Sequence, residues 1–337
     1  MSPKREPARE RQLVQQPVSN SCSDSGSPGP APEGMVVKAY GGYFYVRAGD
    51  RVVECTVRGR LKKEKKEILV GDRVRFSEVD SLRGVIEEVL PRKTRLVRPP
   101  VANVDQAVIV SAVSNPDPDF KLIDRLLAIA ESESLEILIC FNKVDLVTSY
   151  RADKISRPYR AAGYRVLKTS AKAGAGIRRL SRALAGRVSV FAGASGVGKS
   201  ALLNAVQPGF RLKTGETSRK LERGRHTTRH VELLQLDSGG LVADTPGFSR
   251  VSLGGIAPEE LGLFFPEIRR FVGQCRFTGC MHDREPQCAV KEAVARGEIH
   301  ETRYNHYLEF LYEVTHLARL QREGRSIDKD STFDSFQ

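Results

Sequence analysis

The chain has 337 residues, 40% of them hydrophobic, and a formal charge of +13 at pH 7. That length exceeds one compact core and calls for two or three domains. The positive excess favours a polyanionic partner, nucleic acid ahead of a membrane surface, because no apolar run approaches the length needed to span a bilayer.

Residues 1–34 are rich in Pro, Ser, Gly and charge and contain no apolar segment of the kind a secretory leader needs, so they read as a disordered tail. A transit peptide fits less well, since Glu6, Arg9 and Glu10 mix signs. Over residues 35–98, period-two runs (MVVKAYGGYFYVRAGDRVVECTVRG, EILVGDRVRFSEV, RGVIEEVL) broken by GG, GD and RG predict an OB-type β-barrel of about five strands, with LKKEKKE as a charged loop. This segment carries 16 Lys and Arg against 9 Asp and Glu, a net of +7. Together with Tyr40, Tyr43, Phe44 and Tyr45 near the first turn, it suits a surface that meets RNA by charge and stacking. A solvated basic loop over aromatic core residues fits the same pattern, and both readings stay open.

After RPPVANVD, residues 99–255 alternate short apolar runs with helix-length segments: DQAVIVSAV, FKLIDRLLAIAESE, LEILICFNKVD, a polar helix over 150–162, YRVLKTSAK, GIRRLSRALA, VSVFAGASG, HVELLQL and GLVADTPG. The alternation predicts a mostly parallel α/β sheet covered on both faces. Residues 256–325 turn cysteine-rich and then helical, with RYNHYLEFLYEVTHLARL as the longest helix; residues 326–337 form a frayed tail. The six cysteines are too few for a disulfide framework, and three of them fall between Cys275 and Cys288, which points to a metal site and to a reducing compartment, the cytoplasm.

GASGVGKS follows one strand-like run and precedes a helix-like one, the context of a phosphate-binding loop. Gly193, Ala194, Ser195, Gly196, Val197 and Gly198 would turn backbone N–H groups toward a phosphate, with the helix start at Lys199, Ser200 and Ala201 adding its positive end. Lys199 would neutralise the β- and γ-phosphates and Ser200 would bind Mg²⁺. DTPG supplies a metal-side Asp244 and a γ-phosphate sensor at Gly247, although the tetrapeptide is also a good turn. NKVD (Asn142, Lys143, Val144, Asp145) has the chemistry of a guanine reader: the Asp145 carboxylate accepts from guanine N1–H and N2, donors that adenine does not offer in that arrangement. Asn142 would tie the reader to the phosphate loop, and the stem of Lys143 would pack over the base. TSAK, with Ser170, Ala171 and Lys172 after Thr169, adds a backbone N–H for the guanine carbonyl.

The guanine reader comes before the phosphate loop, the reverse of the common order. Joining the usual chain ends and reopening the domain before the NKVD strand preserves every element, so the order is that of a circular permutation. The run of barrel, NKVD, TSAK, GASGVGKS, GRHTTR, DTPGF and cysteine cluster, from Met35 to about Arg319, resembles the circularly permuted ribosome small subunit-dependent GTPase A (RsgA/YjeQ) family. The resemblance implies GTP hydrolysis stimulated by the small ribosomal subunit, late subunit maturation, GTP and GDP as ligands, and rRNA as a partner. A monomer with no membrane partner is expected.

Phe248 stands where many GTPases place a water-orienting Gln, so another polar group must serve. In the loop RKLERGRHTTRH, Thr228, ahead of Thr227, would bind Mg²⁺ and the γ-phosphate. His226 would position water, or be a solvated loop histidine; both readings stand. Cys275, Cys280, His282 and Cys288 follow C-x₄-C-x-H-x₅-C, which saturates a tetrahedral Zn²⁺ and makes a structural site, while Cys55 and Cys140 read as buried thiols. Two rival functions remain: a nucleic-acid-binding protein whose nucleotide site is only structural or sensing, and an ATP-using P-loop enzyme, which NKVD disfavours.

Overall fold

Valines alternating with polar residues produce a meander of β1 (Glu33–Tyr40), β2 (Tyr43–Ala48) and β3 (Arg51–Val57). In the computed structural model, which describes residues 31–63, 67–96, 99–210, 212, 231–244 and 252–323, β1 and β2 meet at Gly41 and Gly42, both with positive φ as a tight hairpin turn requires. β4 (Arg73–Glu78) and β5 (Arg83–Val89) complete a closed ring, in which β1 pairs with β2, β2 with β3, β3 with β5, β5 with β4, and β4 returns to β1. Val36, Val46, Val53, Val74, Phe76 and Ile86 fill it and are fully buried. The expected charged loop instead begins as a helical turn, α1 (Gly59–Lys63), because its one apolar residue, Leu61, is buried.

A short pair, β6 (Arg95–Leu96) and β7 (Val101–Ala102), leads out of the barrel. Beyond it come β8 (Gln106–Ala112), α2 (Phe120–Ser132), β9 (Glu136–Asn142), α3 (Ser149–Ala161), β10 (Arg165–Lys168), α4 (Ile177–Leu184), β11 (Val188–Ala192) and α5 (Lys199–Val206). β12 (Glu232–Gln235) and β13 (Leu241–Asp244) follow. The strand order is β10-β9-β8-β11-β13-β12, with only β12 antiparallel to its neighbour. All seven residues of β8 are buried, as a central strand covered on both faces requires. The sheet does not end at β12. A bulge in β1 between Val36 and Lys38 lets that strand serve the barrel and also pair Lys38 with Glu232, so barrel and nucleotide sheet are continuous.

The C-terminal part contains a 3₁₀ helix (Pro258–Phe264), α6 (Pro266–Arg269), α7 (Ala289–Ala295) and α8 (Glu301–Arg322). α8 grips α2 through charge. Arg125 makes a bidentate pair with Glu313 at 2.7 and 2.6 Å, and Lys121 pairs with Glu309. At the centre Arg303, 3% exposed, donates to both Asp124 and Glu267, and its guanidinium lies 5.3 Å from the ring centres of Tyr159 and Phe265. Burial alone would weaken its charge, but the two carboxylates raise its pKa well above the ordinary arginine value. His306 Nδ1 lies 2.6 Å from the other Asp124 oxygen.

Arg303→Met should therefore leave two buried carboxylates without a counter-charge and lower stability by about 3–5 kcal/mol. Chemical unfolding of the variant beside the unaltered chain measures this, and an unchanged midpoint would show that the contact is not structural.

Candidate functional site

The four site motifs that the structure describes all start at the C-terminal ends of parallel strands: NKVD at β9, TSAK after β10, GASGVGKS after β11, and Asp244 as the last residue of β13. An open α/β sheet binds ligands at that edge. The phosphate loop needs its glycines for space. A Cβ on Gly193 (φ 141°) would lie 2.0 Å from the Val110 carbonyl oxygen, and one on Gly198 (φ 98°) 2.4 Å from Asn142 Nδ2. α5 begins directly after Gly198, so its free N–H groups and Ser200 sit at the mouth of the loop. Lys199 Nζ donates to the carbonyls of Gly193 and Ala194 at 2.8 and 2.9 Å, and burial lowers its pKa.

Asn142 joins the motifs. It is 1% exposed, and its Nδ2 donates to Val197 O in the phosphate loop at 2.9 Å. Its Oδ1 accepts from the Ala171 N–H and the Thr169 hydroxyl, both at 3.3 Å. Lys143, at φ 62°, lays its amine on Gly196 O at 2.8 Å and on Asn115 O. Val144 N–H donates to Thr169 O, and Asp145 lies in the 3₁₀ turn Val144–Leu146. The Ser170 hydroxyl bonds the Asp145 carboxylate and holds it below the usual carboxylate range, with Lys172 and Lys143 adding smaller contributions. A carboxylate kept ionised in this way is suited to accept from two guanine donors.

The expected permutation is thus present as geometry: β9 and β11, separated in sequence by β10 and two helices, bring NKVD against the phosphate loop. Asp244 ends a strand adjacent to β11. Its side chain, together with Gly247, Phe248, His226, Thr227 and Thr228, lies outside the described residues. The sequence reading overlooked Asn115, whose carbonyl shares the Lys143 amine; a backbone acceptor leaves no trace in residue type.

The four metal candidates also converge. The ligand atoms of Cys275, Cys280, His282 and Cys288 all lie within 4.8 Å of one another. Cys275 Sγ and Cys288 Sγ are 3.8 Å apart, and His282 Nδ1 is 3.5 and 3.4 Å from them. A tetrahedron with Zn–S bonds of ~2.3 Å has edges of this size, so the cluster could hold a zinc ion with no open coordination position. Burial lowers the His282 pKa, which favours the neutral imidazole that a metal needs, and it pushes the Cys280 thiol up to about 12, so a cation is what would make these thiolates compatible. Three further residues set the loop. Tyr304 donates to His282 O at 2.6 Å, Tyr307 to Met281 O at 2.7 Å, and Glu285 accepts from the N–H groups of Met281 and Asp283. The helical spacing of the tyrosines gave no hint of this role, since it is also that of core residues. Cys55 and Cys140 are buried, as expected.

A permuted guanine-nucleotide-binding P-loop domain, preceded by a closed five-stranded barrel and followed by a Cys₃His knuckle, defines the class of protein. Two family models match, the RsgA N-terminal domain over residues 33–86 and the RsgA GTPase over residues 89–254. The Small ribosomal subunit biogenesis GTPase RsgA of Moorella thermoacetica is 51% identical over 282 residues, covering 84% of this chain and 97% of that protein. Its namesake from Geobacillus kaustophilus is 48% identical over 285 residues, with the same coverage of 84% and 97%. Among solved structures, YjeQ from Thermotoga maritima matches with a TM-score of 0.75 and 39% identity, over 84% of this chain and 98% of that one. YloQ, a circularly permuted GTPase, matches with a TM-score of 0.73 and 40% identity, over 85% and 96%. The chain belongs to the RsgA family of GTPases.

Two outcomes follow from this geometry. Asp145→Asn should weaken GTP binding and shift preference toward xanthine nucleotides, because the amide donates to the carbonyl that replaces the guanine amine; competition binding measures it, and unchanged GTP affinity would refute the assignment. Chelation of zinc, or Cys280→Ser, should unfold the region around the knuckle and leave nucleotide affinity intact, since the ligands lie outside the nucleotide sheet. Circular dichroism beside GDP titration checks this, and loss of GDP binding on chelation would contradict it.

Proposed function

We propose that this chain hydrolyses GTP when it engages the small ribosomal subunit, in late maturation of that subunit, with rRNA met by the barrel and the zinc knuckle. The observation that carries this reading is the Asn142 bridge, which joins the guanine reader to the phosphate loop in one site. The names of the relatives support the partner, and the net charge of +13 suits rRNA. Among the described residues no helix is long and apolar enough to cross a membrane. The chain acts as a monomer in the cytoplasm, with the barrel at 35–98, the GTPase domain at 99–255 and the zinc and helical module at 256–325.

In this reading Gly193 to Ala201 hold the phosphates, Asn142 to Asp145 and Ser170 to Lys172 hold guanine, and Ser200, Thr228 and Asp244 hold Mg²⁺. Mg²⁺ would neutralise charge developing on the phosphates. Gly247 senses the γ-phosphate. Phe248 offers no hydrogen bond to water, so another polar group must serve, and His226 orients the attacking water when the chain is docked on the subunit.

Single-turnover hydrolysis with and without purified small subunits tests the reading, with clear acceleration expected and an unaltered rate contradicting it. His226→Ala should lose most of that stimulation and keep GTP-dependent association with the subunit, whereas Ser200→Ala should lower basal and stimulated rates alike. Full stimulated activity in His226→Ala would move the water-positioning group to the ribosome.

A further inference from the structure

The last turn of α2, the turn at 162–164 between α3 and β10, and α6 with the residue after it enclose a cavity of about 500 Å³. Tyr164 directly precedes β10, so the cavity lies at the edge where the parallel strands begin, opposite the edge that holds the nucleotide motifs. Its polar groups are graded by depth. Arg269 and Arg270 stand exposed at the mouth, Glu131 is largely buried, and Tyr164 is 8% exposed.

Arg269 Nη1 donates to Glu131 Oε2 at 3.2 Å and to Leu263 O at 3.3 Å. Arg270 reaches across to the end of α3, its Nη2 donating to Ala162 O at 3.2 Å. Gly163 (φ 103°) makes room for it, since a Cβ there would stand 3.4 Å from that nitrogen. Arg270 pairs with no carboxylate among the described residues. The Tyr164 hydroxyl is buried and turned toward Glu131, yet it completes no hydrogen bond among the described residues. Two unmet demands therefore share one cavity, a cation without a counter-charge and a buried hydroxyl without a partner. A tyrosine kept only for its ring would carry this hydroxyl at a cost. A water molecule would satisfy the hydroxyl and leave Arg270 uncompensated, whereas an anionic ligand with a polar body answers both.

We propose that this cavity binds a small phosphate monoester bearing a hydroxyl, with the phosphate between Arg269 and Arg270 and the hydroxyl between Tyr164 and Glu131. Each guanidinium has five N–H donors in a planar fork and spends one nitrogen on the protein, so its remaining edge can take phosphate oxygens. The Glu131 carboxylate accepts from a hydroxyl and repels a second anionic group at the floor, which selects a hydroxylated monoester over a bare polyphosphate. Such a ligand is held from both sides, by α2 and the α3–β10 turn of the GTPase sheet and by α6 of the C-terminal part. Occupancy clamps these elements together by mass action and leaves the nucleotide site, at the other edge, free for GTP.

The test is calorimetric titration of glycerol 3-phosphate into the full chain saturated with Mg²⁺ and GDP, which fills the phosphate loop. Saturable binding with a Kd of about 1 mM or tighter is expected, with inorganic phosphate weaker and glycerol not bound. Arg270→Gln should weaken binding about 10- to 100-fold, and Tyr164→Phe, which keeps the ring, about 3- to 10-fold. Both variants should retain GDP affinity, which confirms folding. No saturable binding up to about 10 mM, or affinity within twofold of the unaltered chain in either variant, would overturn the proposal. Arg270-dependent binding of a single-stranded RNA that glycerol 3-phosphate does not displace would also overturn it, by assigning the arginines to a polymer backbone.

Discussion

The buried Asn142 is the hydrogen-bonding centre of the nucleotide site, with the Lys143 amine making a second link to the phosphate loop at Gly196 O. Asn142 lies at the end of β9 and makes hydrogen bonds to the phosphate loop and to both sides of the TSAK turn. Three loops that leave three different strands are thereby set at one distance from each other. Gly198 is a glycine because the asparagine occupies the space a Cβ would need, and the Val197 carbonyl would otherwise be a buried acceptor without this donor. None of these contacts depends on which motif the ribosome makes first. A permuted chain can therefore keep a guanine site whose parts come from opposite ends of the common order, provided the strand ends still converge.

What the permutation changes is the neighbourhood of the site. β12 would be an open edge of the nucleotide sheet, and the barrel covers it through β1, with Lys38 paired to Glu232 at 3.3 Å. The opposite flank is held by α8. That helix uses its tyrosines to fix the carbonyls of the knuckle loop and its charged residues to grip α2, so a metal-dependent fold and a P-loop fold share one helix. The grip is mostly ionic, and its centre is buried, which makes it selective for one docking geometry more than it makes it strong.

Much of this was legible in the sequence because it is encoded locally. Glycine-rich loops need glycine at set positions, the Cys₃His ligands lie within fourteen residues, and apolar runs alternate with amphipathic ones. The convergence of NKVD and GASGVGKS followed from the rule that ligands gather at strand C-terminal ends. The rest is carried by pairs distant in sequence and ordinary in type. Arg303 and Asp124 are 179 positions apart and each reads as a surface charge. Lys38 and Glu232 are likewise unremarkable residues, and only the bulge at Val36 to Lys38 turns β1 toward a second sheet. Leu61 illustrates a smaller failure: a single apolar residue in a charged run was enough to turn the start of a loop into helix.

The claim that Asn142 is the main side chain uniting the two halves of the permuted site is tested most directly by calorimetric titration of GDP into Asn142→Ala. The variant loses a donor to Val197 O and an acceptor for Ala171 N–H, while the Thr169 hydroxyl keeps Phe141 O; the Val197 carbonyl left unpaired in the phosphate loop costs about 1–3 kcal/mol. Affinity should fall by about 10- to 100-fold while the unfolding transition of the barrel and the zinc region is retained. Unchanged GDP affinity in a folded Asn142→Ala chain would show that the loops are held by other means and would contradict this account.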